Sequence, residues 1–116
     1  MEKDDRVYLD HILDSFSKVV QYLEGMEQQA FLADEEKQDA IIRKMEVAGE
    51  ATKRLSKNLR EKYHRIPWRA IAGMRDKLIH DYFDVDLEMV WETATKDIPD
   101  LLPEIASLVG HLNQGP

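Results

Sequence analysis

Residues 75–82 hold the side chains in this sequence that could perform chemistry on a phosphodiester. Their sequence, RDKLIHDY, places Arg75 five residues before His80 and seven before Tyr82. A histidine can take or give a proton near neutral pH, and an arginine supplies fixed positive charge for a transferring phosphoryl group. Because the ribose 2′-hydroxyl of RNA can itself be the nucleophile, these two residue types could cleave RNA without a metal ion. The products would then end in a 2′,3′-cyclic phosphate.

The spacing of this motif raises a geometric problem. On one ideal α-helix, positions five residues apart point about 140° away from each other, so Arg75 and His80 would not share a face. Asp76 stands four residues before His80, a spacing at which its carboxylate could bond and orient the imidazole. Arg75 and Tyr82 are seven residues apart and lie almost on one line along the helix. The sequence therefore predicts Asp76 as an orienting residue and two neighbouring polar stripes at one helix end.

A locally basic segment surrounds the motif, although the chain as a whole is acidic. The formal net charge is −7, whereas residues 59–80 contain six Lys or Arg and two Asp or Glu. Such an excess can hold a short stretch of nucleic acid or dock an acidic protein. The alternative, a solvated charged surface, weighs about equally. Arg69 and Lys77 are the candidate RNA contacts in this segment.

Two long amphipathic helices are predicted in the first half of the chain. One is expected from about Asp4 to Glu24, ending at Gly25, and the other begins at Asp34, a candidate N-cap. The apolar stripes are Tyr8, Ile12, Phe16, Val19, Val20 and Leu23 in the first, and Ile41, Met45, Ala48, Thr52 and Leu55 in the second. The two helices are expected to pack antiparallel.

The motif is predicted to lie at the end of a third helix. This helix should begin at Pro67, after a short helix from Asn58 to His64, and fray near residues 80–83. Its predicted buried side consists of Trp68, Ile71, Ala72, Leu78 and Ile79.

A last helix is predicted after an N-cap at Asp86. It carries Leu87, Val90, Trp91 and Ala94. Pro99 and Pro103 must kink this helix or restart it. Since no segment has the pattern of a strand, the fold class is predicted to be all-α, an antiparallel bundle of four main helices plus one or two short ones.

Composition limits the kind of protein this can be. A chain of 116 residues with 43% hydrophobic and 34% charged residues fits one folded domain, taken as residues 1–116. Without cysteine there is no disulfide framework, thiolate zinc site or cysteine nucleophile. The first ten residues lack the apolar core of a signal peptide, and no run approaches the roughly 18 apolar residues of a membrane span. We therefore expect a cytoplasmic protein without membrane contact.

The chain resembles the HepT branch of the HEPN superfamily along nearly its whole length. The family motif, Arg followed after four residues by His and then after one residue by Tyr, is met at Arg75, His80 and Tyr82. Asp76 fills the place after the arginine that is usually polar in the superfamily. The other matching stretches are residues 32–43, 49–51, 53–56, 66–82, 91–94 and 97–99.

This resemblance implies a helical homodimer with paired motifs, a ribonuclease toxin activity and no cofactor or metal. Arg75 would be the phosphate ligand and His80 the general acid or base. In a dimer, an Arg and a His that diverge on one helix can converge across the two-fold axis. The resemblance also implies an operon partner, a minimal nucleotidyltransferase antitoxin that adenylylates Tyr82. The AMP group would place negative charge and bulk beside Arg75 and occupy its phosphate site.

Other interpretations of the same residues stay open. The chain could be a non-catalytic binding subunit for the nucleotidyltransferase, which its net acidity favours, or a purely structural helical dimer. A run of carboxylates lacks the spacing of a calcium loop: Asp81, Asp84, Asp86 and Glu88. The scattered histidines, which are His11, His64 and His111, lack the spacing of metal ligands. Trp68 lies on an apolar stripe, where a tryptophan is more often a core residue than a base-stacking one.

Overall fold

The computed structural model describes residues 3–113, which form α-helices, one π-helical segment and short connections. The elements are α1 (Lys3–Tyr22), α2 (Gln28–Leu32), α3 (Glu35–Lys53), α4 (Lys57–Lys62), α5 (Trp68–His80), α6 (Leu87–Glu92), the π-helical segment (Thr93–Asp97) and α7 (Ile98–Asn113). This part of the chain contains no strand. The predicted all-α fold is confirmed, with four long helical elements, namely α1, α3, α5 and the stretch 87–113, and two short helices, α2 and α4. Within residues 3–113, none of the helices combines the length and apolar character that crossing a bilayer requires.

The helix α3 lies at the centre of the bundle and positions the motif helix. It packs against α1 and α5, while α1 also packs against α7. Asp5, near the start of α1, is buried and accepts bonds from the Ser56 backbone N–H (2.7 Å) and hydroxyl (2.6 Å), just past the end of α3. Since the start of one helix thus meets the end of the other, α1 and α3 are antiparallel, as predicted.

The predicted helix boundaries agree with local hydrogen bonding. The Asp34 side chain accepts from the Lys37 backbone N–H at 3.0 Å, and Asp86 accepts from Met89 N–H at 3.1 Å. Both carboxylates therefore cap helix N-termini, where they satisfy otherwise unpaired donors. Gly25 follows α1 with a φ of +76°, which is a conformation that glycine adopts readily.

The short helix α2 was not predicted from the sequence. It lies in the connection 26–33, and its Phe31 is fully buried with its ring 5.4 Å from that of Trp91. Five residues make less than two turns, so they give no apolar periodicity to detect.

The motif helix α5 begins at Trp68, directly after Pro67, and ends at His80, with residues 81–84 in a turn and bend. Trp68, Ile71 and Leu78 are buried as predicted. The prediction that Ile79 is also buried was wrong, because its side chain is 45% exposed. Adjacent helical residues point about 100° apart, and Leu78 occupies the direction that faces the core. On α1, Val20 lies at the exposed edge of its stripe for the same reason.

The last helical stretch accommodates its two prolines differently. Pro99 is the second residue of α7, and only Ile98 separates it from the π-helical segment Thr93–Asp97. The backbone bonding pattern therefore changes before Pro99, as expected where a residue lacks an N–H donor. Pro103 lies inside α7.

Gly49 determines how closely α3 approaches α5. A Cβ atom built at Gly49 would overlap Arg75 Cβ and would lie 3.0 Å from the carbonyl oxygen of Ile71. Any side chain at this position would push α5 away from α3. The backbone that carries Arg75 is therefore held at a distance that only glycine allows.

We expect Gly49→Ala to lower the free energy of unfolding by about 1–3 kcal/mol, because α3 and α5 must separate to admit the methyl group. Gly73→Ala on α5 is the matched control, since a Cβ there meets no atom within 4 Å. The control should raise stability by up to about 1 kcal/mol through helix propensity. Urea unfolding measures both variants, and equal shifts would contradict the close approach of the two helices.

Candidate active site

Arg75 is held between two carboxylates at the contact of α5 with α3. Its Nε lies 3.3 Å from Glu50 Oε1, and its Nη1 donates to Asp76 Oδ1 at 2.9 Å. The side chain is 30% exposed. Within residues 3–113, Nη2 donates no hydrogen bond. The guanidinium is therefore fixed along two edges and keeps donors for a ligand.

Asp76 is bound to two cations. It accepts a hydrogen bond from Lys53 Nζ at 2.6 Å in addition to the one from Arg75. The Lys53 bond, and after it the Arg75 bond, hold the pKa of the Asp76 carboxyl below its ordinary value, so the group stays ionised. A bond from Asp76 to His80 is not formed within the described part of the chain. Its orienting role toward His80 thus stays a prediction.

The other two motif side chains, His80 and Tyr82, are exposed at and just beyond the end of α5. His80 is exposed and forms no hydrogen bond with any described residue. Tyr82 is 72% exposed, and its ring makes an edge-to-face contact with Phe83 at 5.0 Å. Phe83 is almost fully exposed. Both the imidazole and the phenol are therefore accessible to another molecule.

The motif residues border different cavities of the single chain. Arg75 lines an open cleft of about 380 Å³ between α1, α3 and α5, together with Tyr8, His11 and Arg43. Tyr82 borders a second cavity of about 500 Å³, and Lys77 a third of about 330 Å³. Arg69 is exposed and lines none of these three. The fold brings Arg75 and Asp76 together but forms no hydrogen bond or ion pair between Arg75 and His80 or Tyr82 within residues 3–113.

Sequence reasoning missed the residues of α3 that meet the motif. Glu50 pairs with Arg75 and also with the Nε of Arg54, the C-cap residue of α3, at 3.2 Å. The pKa of the Arg54 guanidinium is raised, first by a hydrogen bond with Tyr8 and then by the one with Glu50. A glycine inside a helical pattern costs helix stability and can have a packing reason, so Gly49 was the available indication.

Two side chains of the carboxylate run after the motif have structural partners. Asp81 pairs with Lys77 at 3.1 Å, and Asp86 caps α6. Among the described residues, no group of three or more His, Asp or Glu side chains is arranged to hold a metal ion.

The chain is similar to a known family over most of its length. The family model described as Ribonuclease HepT-like matches residues 12–108. The "Putative RNase TTE0752" of Caldanaerobacter subterraneus subsp. tengcongensis is 41% identical over 107 residues, which cover 92% of this chain and 96% of that protein. The "Probable ribonuclease HepT" of Thermococcus cleftensis is 38% identical over 101 residues, covering 87% of this chain and 92% of that protein.

A further relative is a longer protein. The "Gamma-glutamylcyclotransferase and putative RNase MJ0434" of Methanocaldococcus jannaschii is 44% identical over 114 residues, which are 98% of this chain. This chain spans about half of that protein, 51% of its length. No solved structure matches the chain.

Proposed function

Because this chain belongs to the HepT-like ribonuclease family, we propose that it is a metal-independent endoribonuclease and the toxin of a toxin–antitoxin pair. The observation that carries the proposal is the arrangement of α5. Its Arg75 guanidinium is fixed by Glu50 and Asp76, and its last residue, His80, exposes an imidazole. The relatives named as RNases support the same activity.

The reaction requires only the RNA and these side chains. The 2′-oxygen attacks the adjacent phosphorus, so the O2′–P bond forms while the P–O5′ bond breaks. The proton of the 2′-hydroxyl ends on the leaving 5′-oxygen, and His80 carries out one of these proton transfers as general base or acid. Arg75 binds the phosphate and stabilises the negative charge of the transition state. The products are a 2′,3′-cyclic phosphate and a 5′-hydroxyl.

We place the complete site in a homodimer. In one chain, α5 is helical from Trp68 to His80, so Arg75 and His80 point about 140° apart. A two-fold axis beside the helix end would bring the Arg75 of one protomer to the His80 of the other. The exposed apolar side chains of Ile79 and Phe83, on either side of His80, support an interface there. Arg69 and Lys77 are proposed as additional RNA contacts.

Regulation is proposed to act on Tyr82. A partner nucleotidyltransferase would join the Tyr82 phenol oxygen to the α-phosphorus of ATP, with loss of the phenol proton and release of pyrophosphate. The exposure of this side chain supports access by such an enzyme. Coexpression with the nucleotidyltransferase should add adenylyl mass to the native chain and none to Tyr82→Phe. Modification of both proteins would place the acceptor elsewhere.

The proposed activity is tested by incubating the purified protein with total RNA in EDTA and analysing the fragment ends. Intact mass must first show that the preparation carries no adenylyl group. Cyclic-phosphate ends and 5′-hydroxyls are the expected result. An unmodified preparation that cuts no RNA would reject the catalytic function.

A non-catalytic binding subunit for the nucleotidyltransferase is the alternative function. It is favoured by the two carboxylates that offset the charge of Arg75 and by the net charge of −7. Under this alternative, the protein would form a stable complex with the transferase and leave RNA intact.

A further inference from the structure

We propose that Glu50 is the positioning residue for Arg75 and thereby sets how the guanidinium meets the scissile phosphate. The inference rests on the proposed ribonuclease function. Glu50 lies 25 positions before Arg75 in the sequence and on another helix, yet its Oε1 is 3.3 Å from Arg75 Nε. Because Glu50 does not belong to the Arg–His–Tyr motif, its contribution depends on the tertiary contact alone.

The Glu50 carboxylate is itself held in place. Its second oxygen, Oε2, pairs with Arg54 Nε at 3.2 Å, and interactions with Tyr8 of α1 and with Glu50 raise the pKa of the Arg54 guanidinium. The side chain is about half-buried at the wall of the cleft that Arg75 lines. Because the ion pair with Arg54 restrains the Glu50 carboxylate, this carboxylate can in turn restrain the Arg75 guanidinium. Glu50 therefore restrains Arg75 more closely than a freely rotating surface glutamate could.

The backbone geometry supports the same pairing. Gly49, the residue before Glu50, lets α3 approach α5 until the Arg75 Cβ occupies the space of a side chain at position 49. One turn further, Lys53 binds Asp76, the neighbour of Arg75. Two cross-helix ion pairs thus follow the point of closest approach along α3, so Arg75 is restrained both at its backbone and at its guanidinium.

The restraint has two opposing effects on catalysis. A fixed guanidinium needs no reorganisation when charge develops on the phosphate, which favours the transition state. The negative charge of Glu50 also weakens the attraction of Arg75 for RNA in the ground state. Removing that charge should therefore lower kcat through loss of orientation and lower KM through stronger phosphate attraction. A purely structural residue would not produce this combined fall in kcat and KM.

The test compares Glu50→Gln with Glu46→Gln. Glu46 lies one turn earlier on α3 and lines the same cleft, but has no ion pair within residues 3–113. Both variants remove one negative charge from the cleft. We expect kcat to fall roughly 10- to 100-fold in Glu50→Gln only, the size of effect that misplacement of a reacting group produces, and KM to fall with it. Glu50→Asp, which keeps the charge, should recover part of the lost kcat. Equal kcat values in the two Gln variants would overturn the proposal.

A second measurement does not depend on cleavage. In ¹⁵N-labelled protein, the Arg75 Nε–H resonance can be assigned by its loss in Arg75→Lys. It should shift toward the position of solvent-exposed arginines in Glu50→Gln and stay unchanged in Glu46→Gln. An unchanged resonance in Glu50→Gln would show that Glu50 does not position Arg75. If the native protein cuts no RNA while the resonance shifts, the proposed function fails and the pairing stands.

Discussion

Replacing His80 by alanine is expected to lower the rate of RNA cleavage by about 10²- to 10⁴-fold, the range that one general acid or base contributes. The imidazole is exposed at the end of α5 and has no hydrogen-bond partner among the described residues. Its removal should therefore leave the bundle intact, so the thermal unfolding midpoint should be unchanged. Loss of activity without loss of stability would identify a chemical role for this side chain.

The matched control is His64→Ala, prepared in the same way. His64 is also exposed but lies in the turn between α4 and α5, away from the motif. Initial rates on a labelled RNA in EDTA should be the same for this variant and the native protein. If His80→Ala and His64→Ala cut alike, another group performs the proton transfer and the assignment of His80 is wrong.

Arg75→Ala is expected to lower the cleavage rate by about 10²- to 10³-fold, the usual cost of removing one transition-state donor. The alanine keeps the Cβ atom that packs against Gly49, so the helix contact is preserved. Arg75→Lys keeps the charge but loses the planar fork that matches a phosphate. It should recover less than the native rate, and rates measured at saturating RNA would show this. A fully active lysine variant would show that charge alone is required.

Mixing the two inactive proteins tests whether the site is shared between protomers. After subunit exchange between Arg75→Ala and His80→Ala, half of the dimers should be mixed, and each of these would have one intact site of two. About one quarter of native activity is therefore expected. Native mass spectrometry can verify the exchange.

Activity that stays low after subunit exchange would contradict a site shared between protomers. If Arg75 and His80 of the same chain act together, every site in the mixture lacks one of them and activity stays at the level of the single variants. A protein that remains monomeric at the assay concentration would also contradict the shared site.

Much of the fold could be predicted because it depends on local chemistry. The N-caps at Asp34 and Asp86 bond to backbone groups three residues away, so their identity and spacing are sufficient to predict them. The long apolar stripes likewise record which face of each helix is buried. The helix α2 escaped prediction because its five residues are too few to show a period.

The exposure of Ile79 shows what an apolar pattern on a predicted helix does not determine. Leu78 and Ile79 are both apolar, and hydropathy gives no reason to prefer either as the core residue. The orientation of α5 about its own axis, as it packs on α3, decides that Leu78 is buried and Ile79 exposed. The two helices come into close contact at Gly49 and Arg75, which lie 26 positions apart in the sequence.

The sequence alone determined the helical class, the capped boundaries and the residue types gathered in residues 75–82. All of these depend on neighbours within a few positions along the chain. The tertiary structure decided that Arg75 is paired with Glu50, that Asp76 is bonded to Lys53, and that His80 stands apart. These contacts depend on which faces of α3 and α5 meet when the two helices pack closely. Local spacing does not encode a contact between residues that are far apart in the sequence.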